Sequence, residues 1–171
     1  QNGATSQVVT TGESTHLEFS THDDLFLTVN SQGLVEVFDL KAEPIKRQAT
    51  FQHRSEVPVS NHFCSYDKQV LLISGDSTVE YFDVDSGKLL QHLTSQGKIT
   101  SAAMRSKTRS LAVAGDGWMS YFMLPQFQQQ PTLTGHDSEI VSLQWTNDEE
   151  MIVSTSTSGA VRGWYPGPRR S

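Results

Sequence analysis

Apolar and polar positions alternate in short runs along most of this chain. Leu34-Val35-Glu36-Val37-Phe38 sets Leu34, Glu36 and Phe38 on one side of an extended backbone and Val35 and Val37 on the other. Ile140, Val141, Leu143 and Trp145 form a second run, Met151-Ile152-Val153 a third, and Ala160-Val161-Arg162-Gly163-Trp164 a fourth. Between them lie clusters of Gly, Asp, Asn, Ser and Thr, as at Asn147 to Glu150 and Ser154 to Gly159. β-Branched and aromatic runs of this length, separated by turn formers, predict strands. No stretch carries helical periodicity, and alternation of this kind suits a strand packed between neighbours.

The runs recur at a fixed interval. Phe19–Asp39 aligns without a gap to Trp145–Tyr165: an aromatic, a polar turn, an apolar run, a turn containing Gly33 or Gly159, an alternating strand and a closing aromatic. The opening and closing aromatics are 19 residues apart in Phe19–Phe38, in Phe63–Phe82 and in Trp145–Trp164. The closing aromatics Phe38, Phe82, Phe122 and Trp164 follow one another at 44, 40 and 42 residues. That matches the period of about 40–45 residues of four-stranded propeller blades.

The last unit also carries Leu133-Thr134-Gly135-His136 ahead of its first strand, and Trp164 at its end. On these residues the chain resembles the WD-repeat family of β-propellers. Phe38-Asp39 and Phe82-Asp83 stand where the family has Trp-Asp; Trp164-Tyr165 keeps the Trp, and Phe122-Met123 keeps only an aromatic. The resemblance implies an all-β fold of propeller blades, each of four antiparallel strands. Four repeats are expected at approximately 7–39, 45–83, 88–123 and 131–165, with a Pro/Gly/Arg tail at 166–171. In family topology each repeat supplies the outer strand of one blade and three inner strands of the next, so Ser6–Thr10 reads as an outer strand for a preceding blade.

The family ties a His, a turn Asp, a Ser or Thr and the Trp together across a blade. This implies a structural network of His136, Ser156 and Trp164 in the last repeat, where Ser158 occupies the Asp place. In the second repeat it implies His53, Ser74 and Asp76, with Phe82 in place of Trp. The third has Asp116, with Gln96 near the His place, and the first has Gln32 at the Asp place. No repeat has all four members, so apolar stacking is expected to carry most of the stability.

Four repeats leave closure open. The chain closes as a four-bladed ring, or another segment or chain completes it, or it is cut from a longer protein. An arc of a larger propeller of about seven blades is the favoured expectation, because a start at Gln1 and the terminal Pro166-Gly167-Pro168 read as cut edges. An arc exposes apolar faces at both ends.

At 171 residues, 36% hydrophobic and 19% charged, the chain is ample for a core and is not of disordered composition. No apolar run reaches the roughly 18 residues of a membrane helix. A single Cys64 and the absence of an Asn-x-Ser/Thr acceptor favour an intracellular site, cytoplasm or nucleus. A net charge of −6 argues against duplex nucleic acid. The basic cluster Arg105, Lys107 and Arg109 reads as a solvated turn; the alternative is a local RNA contact inside a ribonucleoprotein or ribosome-assembly complex.

Chemistry-bearing residues do not converge. The carboxylates Asp23-Asp24, Asp83, Asp85 and Asp148-Glu149-Glu150 fall in turns or at strand ends, whereas catalysis needs them convergent and desolvated. His62 and Cys64 share a strand side, with His53 upstream, but zinc normally takes four ligands and no second Cys exists. Neither a calcium loop, a phosphate-binding loop nor a nucleophile elbow is present. No enzyme, cofactor or metal is therefore expected.

Surfaces remain. The family resemblance implies contacts from loops at one rim: Arg54, Glu56, Gln96, Lys98, Ser138 and Glu139. The turn Asp116-Gly117-Trp118 joins them, with Trp118 read either as an interface anchor or as packed over a neighbouring blade. Pro125–Pro131 reads as a flexible connector or, less readily, as a docking segment. The resulting expectation is a non-catalytic scaffold or adaptor that binds other protein subunits within a complex.

Overall fold

The computed structural model describes residues 11, 13–20, 24–54, 58–64, 69–105, 109–124 and 126–165, with the backbone path alone for 15 and 58–64. Strands β1 (Ser14–Phe19), β2 (Leu25–Asn30), β3 (Leu34–Asp39) and β4 (Lys46–Gln52) form one antiparallel sheet in that order, blade 1. β5 (Pro58–Cys64), β6 (Gln69–Ser74), β7 (Thr78–Asp83) and β8 (Leu89–Thr94) repeat the arrangement as blade 2. β9 (Ser101–Arg105), β10 (Ser110–Ala114), β11 (Asp116–Met123) and β12 (Gln128–Gln129) follow as blade 3. β13 (Leu133–Trp145), β14 (Ile152–Ser156) and β15 (Val161–Trp164) complete the described strands as blade 4. No helix is present among the described residues.

Blades 3 and 4 share a sheet because β13 serves both. Its start is the outer edge of blade 3, with Leu133 opposite Met119 and Thr134 opposite Trp118. Its end is the inner strand of blade 4, with Leu143 opposite Ser154 and Trp145 opposite Ile152. The outer edge of blade 3 is broken between β12 and β13 by Pro131, which has no N–H to give a ladder. Of the segment 125–131, the described residues 126–131 are not the flexible connector its composition suggests. Gln128 and Gln129 pair with Met123 and Phe122, and Phe127 is buried edge-on against Tyr81 at 5.3 Å.

Alternation explains the stacking. Leu27, Val29, Val35 and Val37 leave blade 1 on one side and meet Val70, Leu72 and Phe82 of blade 2. Leu71, Ile73, Val79 and Tyr81 leave blade 2 on the other side and meet Leu111, Val113, Trp118 and Phe122 of blade 3. Ala112, Ala114, Met119 and Tyr121 then meet Ile140, Leu143, Trp145 and Ile152 of blade 4. Odd and even positions of one strand thus enter two different cores, and each fully buried Val or Leu contributes about 1.5–3 kcal/mol. The inner strands run side by side in the order β1, β5, β9, β13, with no comparable contact returning β13 to β1 among the described residues. Among the described residues blade 4 has three strands, and β15 pairs with β14 alone.

One turn recurs in every blade, between its second and third strands. It needs a positive φ at Gly33 (75°), Ser77 (89°), Gly117 (71°) and Gly159 (82°). Three blades meet the requirement with glycine, and blade 2 meets it with a β-carbon. Ser77→Gly is expected to raise stability by about 1 kcal/mol in urea denaturation, because relief of the strained serine exceeds the entropy lost to a freer unfolded chain. A destabilised variant would count against this reading of the turn.

Candidate functional site: a polar rim above buried latches

The recurring turns lie at one end of the strands, so they define one rim. Beneath that rim, blade 2 buries a three-residue chain. The Glu80 carboxylate accepts from His53 Nδ1 at 2.6 Å, and His53 Nε2 meets Ser74 Oγ at 2.6 Å. His53 follows β4 directly, Ser74 ends β6 and Glu80 is on β7, so the chain ties blade 1's outer strand to blade 2. The N–H of Arg54 donates to Glu80 Oε2 at 3.1 Å, and its guanidinium lies 3.3 Å from Oε1, close as an ion but not aligned as a hydrogen bond. Burial alone would raise the Glu80 pKa. The hydrogen bonds from His53 and the Arg54 N–H, with the electrostatic pull of both residues, outweigh it and hold the carboxyl below its ordinary 4.5.

Serine, imidazole and carboxylate stand here in the order of a nucleophilic relay. All three are buried, with His53 1% exposed and Ser74 and Glu80 0%. No substrate carbonyl can approach Oγ at that depth, so the trio acts as a latch between strands.

Blade 4 holds a different latch. Ser154 Oγ accepts from Trp164 Nε1 at 2.7 Å and meets His136 Nε2 at 2.7 Å. Gly135 makes room for it, since a β-carbon there would stand 3.0 Å from the Trp164 ring. The serine is Ser154 and not Ser156, as the sequence pattern suggested. Trp164 lies opposite Ile152, so its indole reaches the diagonal neighbour Ser154, and Ser156 is a further ~7 Å along the strand. Ser156 instead meets Ser158, which also bonds Asp137 at 3.3 Å. His136 Nδ1 is buried and has no hydrogen-bond partner among the described residues. Burial and the Arg162 charge lower the His136 pKa from 6.5, against a smaller upward pull from Asp137.

Asp76 is a second correction. Its side chain caps the exposed Thr78 N–H at 3.2 Å and takes no part in the buried network. Glu80, which does, is a missed residue; its signal was a lone carboxylate on the buried alternation of β7.

The rim residues divide. Arg54, Gln96, Lys98 and Asp116 are exposed, and Ser138 and Glu139 are half-buried. Asp116 pairs with Glu139 in the β11–β13 ladder, and Ser138 Oγ accepts from the Ser158 N–H at 3.2 Å. The Lys98 carbonyl would clash with a β-carbon on Gly115, which brings Lys98, Asp116, Ser138 and Glu139 to one stretch between blades 3 and 4. Trp118 is not an interface anchor. It is 8% exposed and lies over Gly97 and Gly115, and a β-carbon on Gly115 would stand 2.7 Å from its ring. Of the basic cluster, Arg105 stacks on Trp145 at 5.1 Å and faces Glu149 at 3.4 Å, so it is engaged within the chain. Arg109 is half-buried with φ 51°. Glu56 and Lys107 lie outside the described residues, as do the side chains of His62 and Cys64. Among the described residues no group of His, Cys, Asp and Glu is placed to hold a metal ion, and no helix is long and apolar enough to cross a membrane.

Comparison with known proteins agrees with this geometry. Residues 127–165 match the family described as WD domain, G-beta repeat. The crystal structure of the computationally designed Ika4 protein is similar at a TM-score of 0.76 and 25% identity, over 95% of this chain and 96% of that one. No curated protein matches the chain. The family match covers one repeat at 127–165, and the structural likeness extends a propeller-like fold over the rest of the chain. Repeats of this family generally mediate protein–protein interactions in scaffolds or adaptors and are typically non-catalytic.

The two latches are expected to differ in weight. Glu80→Ala leaves His53 buried without its acceptor and should cost about 3 kcal/mol in urea denaturation. His136→Ala should cost about 1–2 kcal/mol. Because the folded His136 pKa lies below its unfolded value, its contribution is complete above about pH 6.5 and falls as pH drops through that value. The Glu80 contribution is present above about pH 4.5 and is lost below it. The melting temperature should therefore decline between about pH 7.5 and 5.5, and decline less in His136→Ala. An equal decline in both proteins would place the acid sensitivity elsewhere.

Proposed function

We propose that this chain is a non-catalytic scaffold: an arc of a larger propeller whose rim binds other protein subunits within a multisubunit complex. One observation carries the reading. Polar side chains, the exposed Lys98 and Asp116 and the half-buried Glu139 among them, gather at one rim above strands whose own polar groups are latched in the interior. A rigid support with exposed hydrogen-bonding groups recognises a protein surface without rearranging. The internal engagement of Arg105 with Glu149 and Trp145 weakens the case for an RNA edge. An intracellular site belongs to the same reading, supported by the single Cys64 and the lack of a glycosylation acceptor.

The test is a partner isolated on the wild-type chain, then purified and titrated by calorimetry. Lys98→Glu and Glu139→Lys should each weaken binding by about tenfold or more, as rim charges at a specific contact do. Lys88→Glu, at the opposite end of the strands, should leave it unchanged. The reverse pattern would overturn the assignment of the rim. A gel shift with RNA that disappears in Lys107→Glu and Arg109→Glu would replace it with an RNA-contacting subunit.

A further inference from the structure

One position recurs in every blade, two residues before the closing aromatic. It is Glu36 in blade 1, Glu80 in blade 2, Ser120 in blade 3 and Arg162 in blade 4. The first three are 8%, 0% and 1% exposed. Each is tied to a residue of another strand or connection: Glu36 to Arg47, Glu80 to His53 and Ser120 to Thr132. Arg162 is exposed and makes no hydrogen bond or ion pair among the described residues.

Blade 2 shows the complete arrangement. A carboxylate there joins an imidazole and a guanidinium, with Glu80 2.6 Å from His53 Nδ1 and 3.3 Å from Arg54. Blade 4 has the imidazole and the guanidinium without the carboxylate. Arg162 stands opposite Ser154 in the β14–β15 ladder, and Ser154 holds His136. The Ser154 hydroxyl accepts the Trp164 N–H and has its own proton to give to His136 Nε2, so the neutral ring carries its proton on Nδ1. That donor is buried and has no acceptor among the described residues. Burial and then the Arg162 charge hold the imidazole neutral, against a smaller pull from Asp137, which is bonded to Ser158.

We infer that Arg162 is the receptor for a carboxylate side chain of a bound protein, an Asp or Glu that takes at blade 4 the place Glu80 has at blade 2. A guanidinium offers paired N–H donors that match a carboxylate in two parallel bonds. The approach is clear. A β-carbon on Gly135 would stand 3.7 Å from Arg162 Nη1 and 3.0 Å from the Trp164 ring, so guanidinium and indole flank exposed backbone that has no side chain of its own. β15 carries Arg162 three residues from the turn at Gly159, about 10 Å below the rim. The site is thus separate from the rim surface and does not rest on it. The net charge of −6 opposes general attraction of acids, so a carboxylate that binds here answers to the local charge.

NMR titration of the His136 ring at constant ionic strength tests this, with N-acetylglutamate α-amide as the probe and N-acetylglutamine α-amide as its neutral match. The acid should raise the His136 pKa of the full chain by about half a unit or more, because it offsets the Arg162 charge, and the neutral match should leave it unchanged. Arg162→Gln and Arg162→Glu should both raise the His136 pKa without any probe, the second by more, and neither variant should respond to the acid. The melting temperature of Arg162→Gln should stay that of the wild type, since the side chain has no internal partner among the described residues. No response in the wild type, or an equal response in Arg162→Gln, overturns the site. A fall of several degrees in Arg162→Gln also overturns it, by making the arginine a structural tie. A response to inorganic phosphate as large as that to the acid overturns the choice of a carboxylate. The probe needs no partner protein, so failure here leaves the rim reading as it stands.

Discussion

A strand that is apolar on both faces needs a neighbour on both sides, and this constraint organises the whole molecule. Val35 and Val37 are fully buried because blade 2 lies on them, and Leu71, Ile73 and Leu72 enter two cores from one strand. Backbone hydrogen bonds hold each sheet together, but they say nothing about what lies above or below it. The radial stack follows from removing apolar surface from water on both faces of successive sheets. At the ends of the series Leu17, Phe19 and Val161 are exposed, whereas Thr28 and Phe38, which share a face with Leu17 and Phe19, are buried.

Polar groups are fitted into this apolar stack in ways that differ from blade to blade. Blade 2 uses His53, Ser74 and Glu80; blade 4 uses His136, Ser154 and Trp164. In each, a histidine (His53 just after β4, His136 in the shared strand β13) reaches a serine on the blade's second strand. Blade 2 satisfies both imidazole nitrogens, while blade 4 leaves Nδ1 without a partner among the described residues. A buried network is worth most when every member is paired, so the histidines are unequal in spite of their equivalent positions. Blade 3 has no histidine there and fills the place with Trp118 over two glycines, exchanging a hydrogen-bonded tie for ring contact.

These interior ties leave charged groups such as Arg54, Lys98 and Asp116 exposed at the rim, as the proposed scaffold role requires. The rim's turns are short, their strands are anchored in apolar cores, and the groups they present are charged or amide side chains on a fixed frame. A surface of that kind suits selection of a protein partner by complementary charge and shape. The family likeness points the same way for repeats in general, and the particular partner is a matter for the rim's own residues.

The sequence by itself determined an all-β chain of short antiparallel strands that recur at a near-constant interval. Alternation and turn chemistry are local, and the intervals between Phe38, Phe82, Phe122 and Trp164 count them directly. The family resemblance implied His53, Ser74, His136 and Trp164 as members of polar networks, and each makes a side-chain hydrogen bond. Only the tertiary structure decided which partner each takes. Ser154 and Ser156 have the same side and spacing rules, and the reach of one indole chooses between them. Asp76 and Glu80 are both acids near one turn, and only packing shows that one is exposed and the other desolvated. Trp118 read equally as an interface anchor or as packed over a neighbouring blade, and Phe127 only as part of a connector; burial against another blade decides both, because it joins residues far apart in the chain and no local pattern records that distance.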